Sequence, residues 1–205
     1  MHQPAPAETF ERLYQTAVSL VRELGYDNVS VSNITHEIGI AKGTFFNYFP
    51  TKDHVLSEAL HRSVESAFSA ARLQGFTGTE AILAFSRTLA RHLSEERVLT
   101  EALVSRLSGL PTPAGRGQDV VREEERVRSW LEARLEEALP VSVPLVPADL
   151  GVVAFLLTWS IHGTLDEWVR SEAAPEALQG MITDRVEFLL ASVGLPADPI
   201  RGSSS

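Results

Sequence analysis

Apolar residues return at helical spacing along almost the whole chain. Phe10, Leu13, Tyr14, Ala17, Val21 and Leu24 share one face of a helix predicted over 7–24, which Gly25 ends. Ser30 is placed to cap a short second helix in which Ile34 and Ile38 share a face, and Gly39 closes it. A third short helix is predicted near 43–48, stopping before Pro50. Thr51 reads as the cap of a longer fourth helix, with Val55, Leu56, Ala59, Leu60, Val64, Ala67 and Phe68 on one face. Beyond Gly75 and Gly78 the pattern predicts helices over 79–94, 97–108, 118–139, 147–171 and 175–193. Residues 109–118 have the composition of a mobile loop, and 140–147 carry three prolines and read as a stiff connection. The tail from Leu195, ending Gly-Ser-Ser-Ser, reads as disordered. No strand alternation or internal repeat is visible, so the expected fold class is all-α with about nine helices.

Two short helices joined by a tight turn at Gly39, set on a longer first helix, form a helix-turn-helix pattern. Its second short helix would lie in a DNA major groove. Lys42 and Gly43 leave the start of that helix open, Thr44 and Asn47 are short polar residues able to reach base edges, and Phe45 could meet a thymine methyl. Tyr48 and Lys52 suit phosphates. The plainer reading of the same spacing is a helical hairpin closed by Phe45, Phe46, Tyr48 and Phe49.

Composition narrows the field. The 205 residues are 44% hydrophobic and 22% charged, which is ordinary for a globular chain of one or two domains. There is no cysteine, so disulfides, thiol catalysis and Cys-based metal sites are excluded. No apolar run reaches the ~18 residues of a membrane span. The N-terminus lacks a basic and then apolar leader pattern, and a cytoplasmic location is expected. The net charge of −9 argues against a broad, non-specific nucleic-acid surface. Yet the chain's two lysines, Lys42 and Lys52, fall ten residues apart with no acid between them.

Residues 30–56, from Ser30 through the Gly39 turn, Lys42-Gly43-Thr44, Phe46, Tyr48-Phe49 and Thr51-Lys52 to Leu56, resemble the signature of the TetR family of bacterial transcription regulators. The glycine turn, the Gly-Thr step, the aromatic run and the Thr-Lys pair fall together at the family's offsets. The resemblance is close over about the first 60 residues; the rest matches only in length and helix count. It implies a helix-turn-helix DNA-binding domain (1–51) and a ligand-binding and dimerisation domain (52–194), ahead of the tail 195–205. It also implies a homodimer that reads a palindromic operator. Carried over to this chain, the DNA-contacting positions are Ser30, Ser32, Lys42, Gly43, Thr44, Phe45, Asn47, Tyr48 and Lys52. Three departures stand out. Ala41 removes the usual cap of the recognition helix, Thr35 and Ile38 replace alanines, and Phe46 replaces a commoner tyrosine.

In the C-terminal part, the helix over 147–171 is apolar on two faces: Leu150, Val153, Ala154, Leu157 and Ile161 on one, Val152, Phe155, Leu156 and Trp159 on the other. One face fits a core or pocket and the other a subunit partner. The last helix offers Leu178, Ile182, Val186, Leu189 and Val193, so these two helices are expected to form the homodimer contact. Phe85, His92, Trp130, Phe155, Trp159 and His162 are the expected ligand contacts. An anionic ligand would have to rely on Arg87, Arg91 and Arg134, and a lipophilic or aromatic effector is preferred. His162 and Asp166 could pair on one helix face, and Glu123-Glu124-Glu125 read as a solvated run. His54, Glu58 and His61 share a face, but a solvated surface explains them better than a metal, and no cofactor is expected. No hydrolase, zinc-protease, Walker or dinucleotide motif appears, so no enzyme is expected. The function expected is a ligand-responsive regulator, a repressor released from DNA by its effector. The alternative is an all-α carrier or enzyme that retains a vestigial helix-turn-helix.

Overall fold

The computed structural model describes residues 6–107, 118–139, 149–171 and 173–195. Nine α-helices and no strand are found among the described residues. They are α1 (Pro6–Leu24), α2 (Val31–Ile38), α3 (Lys42–Phe46), α4 (Asp53–Leu73), α5 (Gly78–Glu95), α6 (Arg97–Leu107), α7 (Gln118–Ala138), α8 (Leu150–Arg170) and α9 (Ala177–Ser192). A single 3₁₀ turn, Tyr26–Asn28, joins α1 to α2; it was not expected from the sequence. The loop over 109–118 and the connection over 140–147 lie outside the described residues, except that Gln118 already opens α7.

Local chemistry sets the boundaries. The Ser30 hydroxyl accepts the Asn33 backbone N–H, while the Asn33 side chain accepts the Ser30 N–H, a reciprocal cap that starts α2. Gly39 ends α2 at φ 71°, a left-handed turn that glycine adopts without strain. Helix α8 begins at Leu150, later than the expected 147, because the Asp149 carboxylate accepts the Gly151 N–H at 2.9 Å. The tail does not begin at Leu195, as expected. Gly194 turns the chain at φ 79°, the Leu195 N–H reaches the Leu190 carbonyl at 2.9 Å, and the Leu195 side chain is buried.

Two cores result. The first gathers α1, α2, α3 and the start of α4 around Leu13, Ile34, Phe45 and Phe49. Leu99 and Leu103 of α6 and Val120 of α7 complete it. The second fills the space between α4, α5, α7, α8 and α9, around Ile82, Phe85, Leu131, Leu157 and Trp168. The stripe Leu178, Ile182 and Val186 of α9 belongs to this second core at 0–1% exposure, so it does not face a partner as expected. The outward apolar surface is instead the second stripe of α8 (Val152, Phe155, Leu156, Trp159), each residue 45–52% exposed, with Phe188 of α9.

Candidate DNA-reading head and effector cleft

The head is built from an aromatic core outward. Phe45 is fully buried, with its ring 5.5 Å from Phe49 and 5.6 Å from Phe46. Phe10 of α1 stacks on Phe49 at 4.9 Å. This packing fixes α3 and leaves Lys42, Gly43 and Asn47 exposed, with Thr44 and Tyr48 half-buried beside them. Ser32 is exposed on α2, as is Ser30 ahead of it. Seven of the nine expected DNA positions (Ser30, Ser32, Lys42, Gly43, Thr44, Asn47, Tyr48) therefore lie in the α2–α3 segment with surface left to offer. A Cβ built on Gly43 meets nothing within 4 Å, so the fold itself leaves that position open. As the sequence implied, Ala41 gives α3 no side-chain cap. Thr35, in place of an alanine, is buried and turns its hydroxyl back to the Val31 carbonyl at 3.0 Å.

Two expected DNA residues are corrected. Phe45 cannot meet a base, because its ring is sealed in the core. Lys52 is not a free phosphate contact. Its ammonium donates to the carbonyls of Tyr26 and Val29, both at 2.8 Å, and lies 3.9 Å from the Tyr26 ring centre. Burial, aided by Arg106, lowers the Lys52 pKa from its ordinary value. Lys52 therefore ties α4 to the 3₁₀ turn. The Tyr26 hydroxyl reinforces the joint by donating to Asp53, and burial with that acid raises its pKa. Thr51 does not cap α4 through its own oxygen in the expected way; its N–H and hydroxyl both meet His54 Nδ1.

A cleft of about 800 Å³ opens between α4, the α4–α5 turn and α7. Its aromatic wall is a triangle of Phe68, Phe85 and Trp130, with ring centres 5.0–5.3 Å apart. Phe85 is fully buried behind it, whereas Phe68 and Trp130 front the cleft. Arg72, Arg122, Arg126 and Arg134 also border it, with Glu65 and Glu125. Arg126 donates to Glu65 across the helix pair and to Glu123 at 2.8 Å, bonds that raise its own pKa and lower that of Glu65. Glu123, expected to be solvated, is buried and also meets His61 at 2.8 Å. Gly78 allows α5 to start against the end of α7, since a Cβ there would meet Ala138 at 3.2 Å.

Residues 13–59, from Leu13 in α1 to Ala59 in α4, match the model of bacterial regulatory proteins, tetR family. The HTH-type transcriptional repressor KstR of Mycolicibacterium smegmatis is 28% identical over 102 residues, covering 48% of this chain and 50% of that protein. The chain spans about half the length of the curated relatives it matches. Whole-chain likeness comes from solved structures. Thermus thermophilus FadR, a TetR-family transcriptional repressor in complex with lauroyl-CoA, superposes with a TM-score of 0.68 at 19% identity, covering 96% of this chain and 98% of that one. A TetR transcription regulator from Haloarcula marismortui gives a TM-score of 0.70 at 21% identity, covering 91% and 98%. At these identities the structural likeness is one of fold. The family match in the head and the shared two-part architecture agree. Residues 13–59 thus form a tetR-family head, and the whole chain shares the fold of these solved structures.

Within this TetR-family fold the six expected ligand residues separate. Trp130 lines the cleft and Phe85 backs it. His92 lies away from it, meeting Ser66 of α4 at 3.1 Å, and burial lowers its pKa. Phe155 and Trp159 are on the outer face of α8, 5.8 Å ring to ring, and not in the cleft. His162 approaches Glu124 of α7 at 3.7 Å. Of the three expected anion-binding arginines, only Arg134 borders the cleft; Arg87 pairs with Glu187 and Arg91 with Glu95. Sequence reasoning missed Phe68, Arg72, Arg122 and Arg126. A signal for the α7 wall was present: Arg122, Arg126, Trp130 and Arg134 recur every four residues on one helix. Among the described residues no cluster of His, Asp and Glu fits a metal, and no helix is long and apolar enough to cross a membrane.

Proposed function

We propose that this chain is a DNA-binding transcriptional regulator, a repressor that reads a palindromic operator as a homodimer and leaves it when a small lipophilic or aromatic effector fills the cleft. The carrying observation is the head, where a sealed aromatic core presents Lys42, Gly43 and Thr44 of α3 together with Asn47 and Tyr48 of the turn that ends it. The repressor names borne by KstR and by Thermus FadR support the direction of control, and the lauroyl-CoA bound to FadR supports an effector with an apolar part. The apolar stripe Val152, Phe155, Leu156 and Trp159 with Phe188 supports a partner copy, because these large side chains cluster on the outer surface of the last two helices. Two heads on one dimer suit half-sites about one helical turn, ~34 Å, apart. Helix α4 joins the head to the cleft wall, so cleft occupancy can change the spacing of the heads. Such couplings are typically ~1–3 kcal/mol. Catalysis and a resident cofactor have no part in this reading.

The test is selection of the purified full chain against random duplex DNA at fixed moderate salt. An enriched palindrome supports the regulator, and its half-site spacing reports the distance between heads. A folded, dimeric protein that enriches nothing favours the carrier with a vestigial head. Replacing Trp159 and Phe155 with glutamate should yield monomers in sedimentation and lose the palindrome. Dimers that persist would place the contact elsewhere.

A further inference from the structure

We infer that the cleft between α4 and α7 takes an amphipathic anion: an apolar chain or ring system against Phe68 and Trp130, and an acidic head group held by Arg72, Arg122 and Arg126. This deepens the reading of the cleft as the effector site and rests on it.

The charge on the lining is the first argument. Four guanidinium groups, those of Arg72, Arg122, Arg126 and Arg134, face two carboxylates, Glu65 and Glu125, in a chain whose net charge is −9. A basic site on an acidic protein concentrates anions where the rest of the surface repels them. The second argument is how loosely some of these groups are held. The Arg72 side chain makes no hydrogen bond or ion pair among the described residues, and its charge helps to lower the pKa of Glu65. Arg122 is 67% exposed, and among the described residues its side chain pairs only with Asp119, one turn away at 3.3 Å. Exposed pairs of that kind contribute little, so an acidic head can take over the guanidinium at small cost. The third argument is the wall below. Arg126 lies 5.6 Å from the Phe68 ring centre and Arg134 lies 5.7 Å from that of Trp130, so cationic groups flank the aromatic surface. A neutral apolar ligand would strip water from Arg72 and from the loosely paired Arg122 and offer them no charge in return. An apolar body with an acidic end satisfies both the wall and the rim.

Arg126 connects occupancy to the head. It borders both the cleft and a smaller hollow lined by Tyr48, Phe49, His54 and His61. Its guanidinium bridges Glu65 of α4 to Glu123 of α7 and lies 3.4 Å from His61. An incoming anion competes with Glu65 for this group and so loosens α4 from α7.

The test uses the full chain without DNA and follows tryptophan fluorescence during titration with matched pairs. Dodecanoate and dodecanoyl-CoA are compared with dodecanol, and 2-naphthoate with 2-naphthol. A Trp130→Phe variant identifies the signal that comes from the cleft. At least one anion should bind tenfold or more tightly than its neutral counterpart. The double variant Arg72→Gln, Arg122→Gln, which removes exposed side chains and spares the fold, should cut that anion's affinity about tenfold and leave the neutral analogue unchanged. Preference for dodecanoyl-CoA over dodecanoate would identify phosphate as the head group; the reverse would identify carboxylate. Neutral analogues that bind as well as the anions would overturn the inference. So would an anion preference that survives the double variant, or no binding of any anion at millimolar concentration. The two readings fail separately. Anion binding by a chain that selects no operator keeps the cleft and removes the regulator. A selected operator released only by dodecanol keeps the regulator and removes the anion site.

Discussion

Two aromatic clusters of nearly equal geometry do opposite work in this molecule. In the head, Phe10, Phe45 and Phe49 pack with ring centres 4.9 and 5.5 Å apart, and Phe45 and Phe49 are sealed from solvent. Beside the cleft, Phe68, Phe85 and Trp130 pack at 5.0–5.3 Å, but Phe68 and Trp130 keep a face open to about 800 Å³ of space. The first cluster sets the position of neighbouring polar residues. The second presents a surface of its own. Ring spacing does not tell them apart; what covers the rings does. The same contrast holds for the cations: Lys52 is committed to two carbonyls, whereas Arg72 and Arg122 stay available.

The sharpest way to break this comparison is truncation of the rings. Phe45→Ala should cost about 3–5 kcal/mol, the range for a fully buried aromatic, and remove operator binding with it. Trp130→Ala should cost less than half as much, because one face already meets solvent. Urea unfolding measures both, and equal losses would erase the distinction. Lys52→Met keeps the apolar stem and deletes two charge-assisted hydrogen bonds, so it should lower stability by about 1.5–3 kcal/mol in the absence of DNA. A phosphate contact would leave the DNA-free stability unchanged. Within the head, Asn47→Ala should relax base preference at one position by about 1–3 kcal/mol, while Tyr48→Phe should weaken binding on all sequences alike. Competition between operator variants separates the two, and a uniform loss for Asn47→Ala would remove its base-reading role.

The smallest effect at neutral pH is one that only alkali reveals. The chain's three tyrosines, Tyr14, Tyr26 and Tyr48, all lie in the head, and its three tryptophans all lie beyond residue 118. Burial pushes Tyr14 from 10.0 up to about 12, and Tyr26 is raised as well. A tyrosine whose pKa is higher folded than unfolded contributes stability that is complete below the unfolded value. That stability is lost as pH rises through the folded value. Urea midpoints should therefore fall between pH 10 and 12, and Tyr14→Phe should flatten the fall. A midpoint that is level across this window would contradict the burial argument.

Helix identity and the head's motif were legible because both depend on spacing along one segment. The Gly39 turn, the Ser30 cap and the missing cap at Ala41 all act within four residues. Errors arose where the partner lies far along the chain. Lys52 reaches back to Tyr26 and Val29, Glu123 is buried against His61, and the outward face of α9 is decided by α5 and α8. Phe45 shows a different limit. A motif places it beside the proposed base-reading residues, but one position on a short helix must face inward, and periodicity over five residues is too brief to say which. The cleft had a four-residue arginine and tryptophan stripe on α7 as its sign, yet its opposite wall, Phe68 and Arg72, comes from α4.

The head's core closes with residues that the head does not own. Leu99, Leu103 and Val120 pack against a cluster whose other members end at Leu56. Synthesis runs from the N-terminus, so the reading head waits, with part of its apolar surface uncovered, until the chain has been extended by more than sixty residues. At ~5–20 residues per second that interval lasts several seconds. A ribosome-bound chain ending near residue 100, with the head emerged but not Val120, should therefore be open to protease in the head, and one ending near residue 180 should be protected. The candidate DNA-reading surface is thus finished only when the start of α7, a wall of the cleft, has emerged.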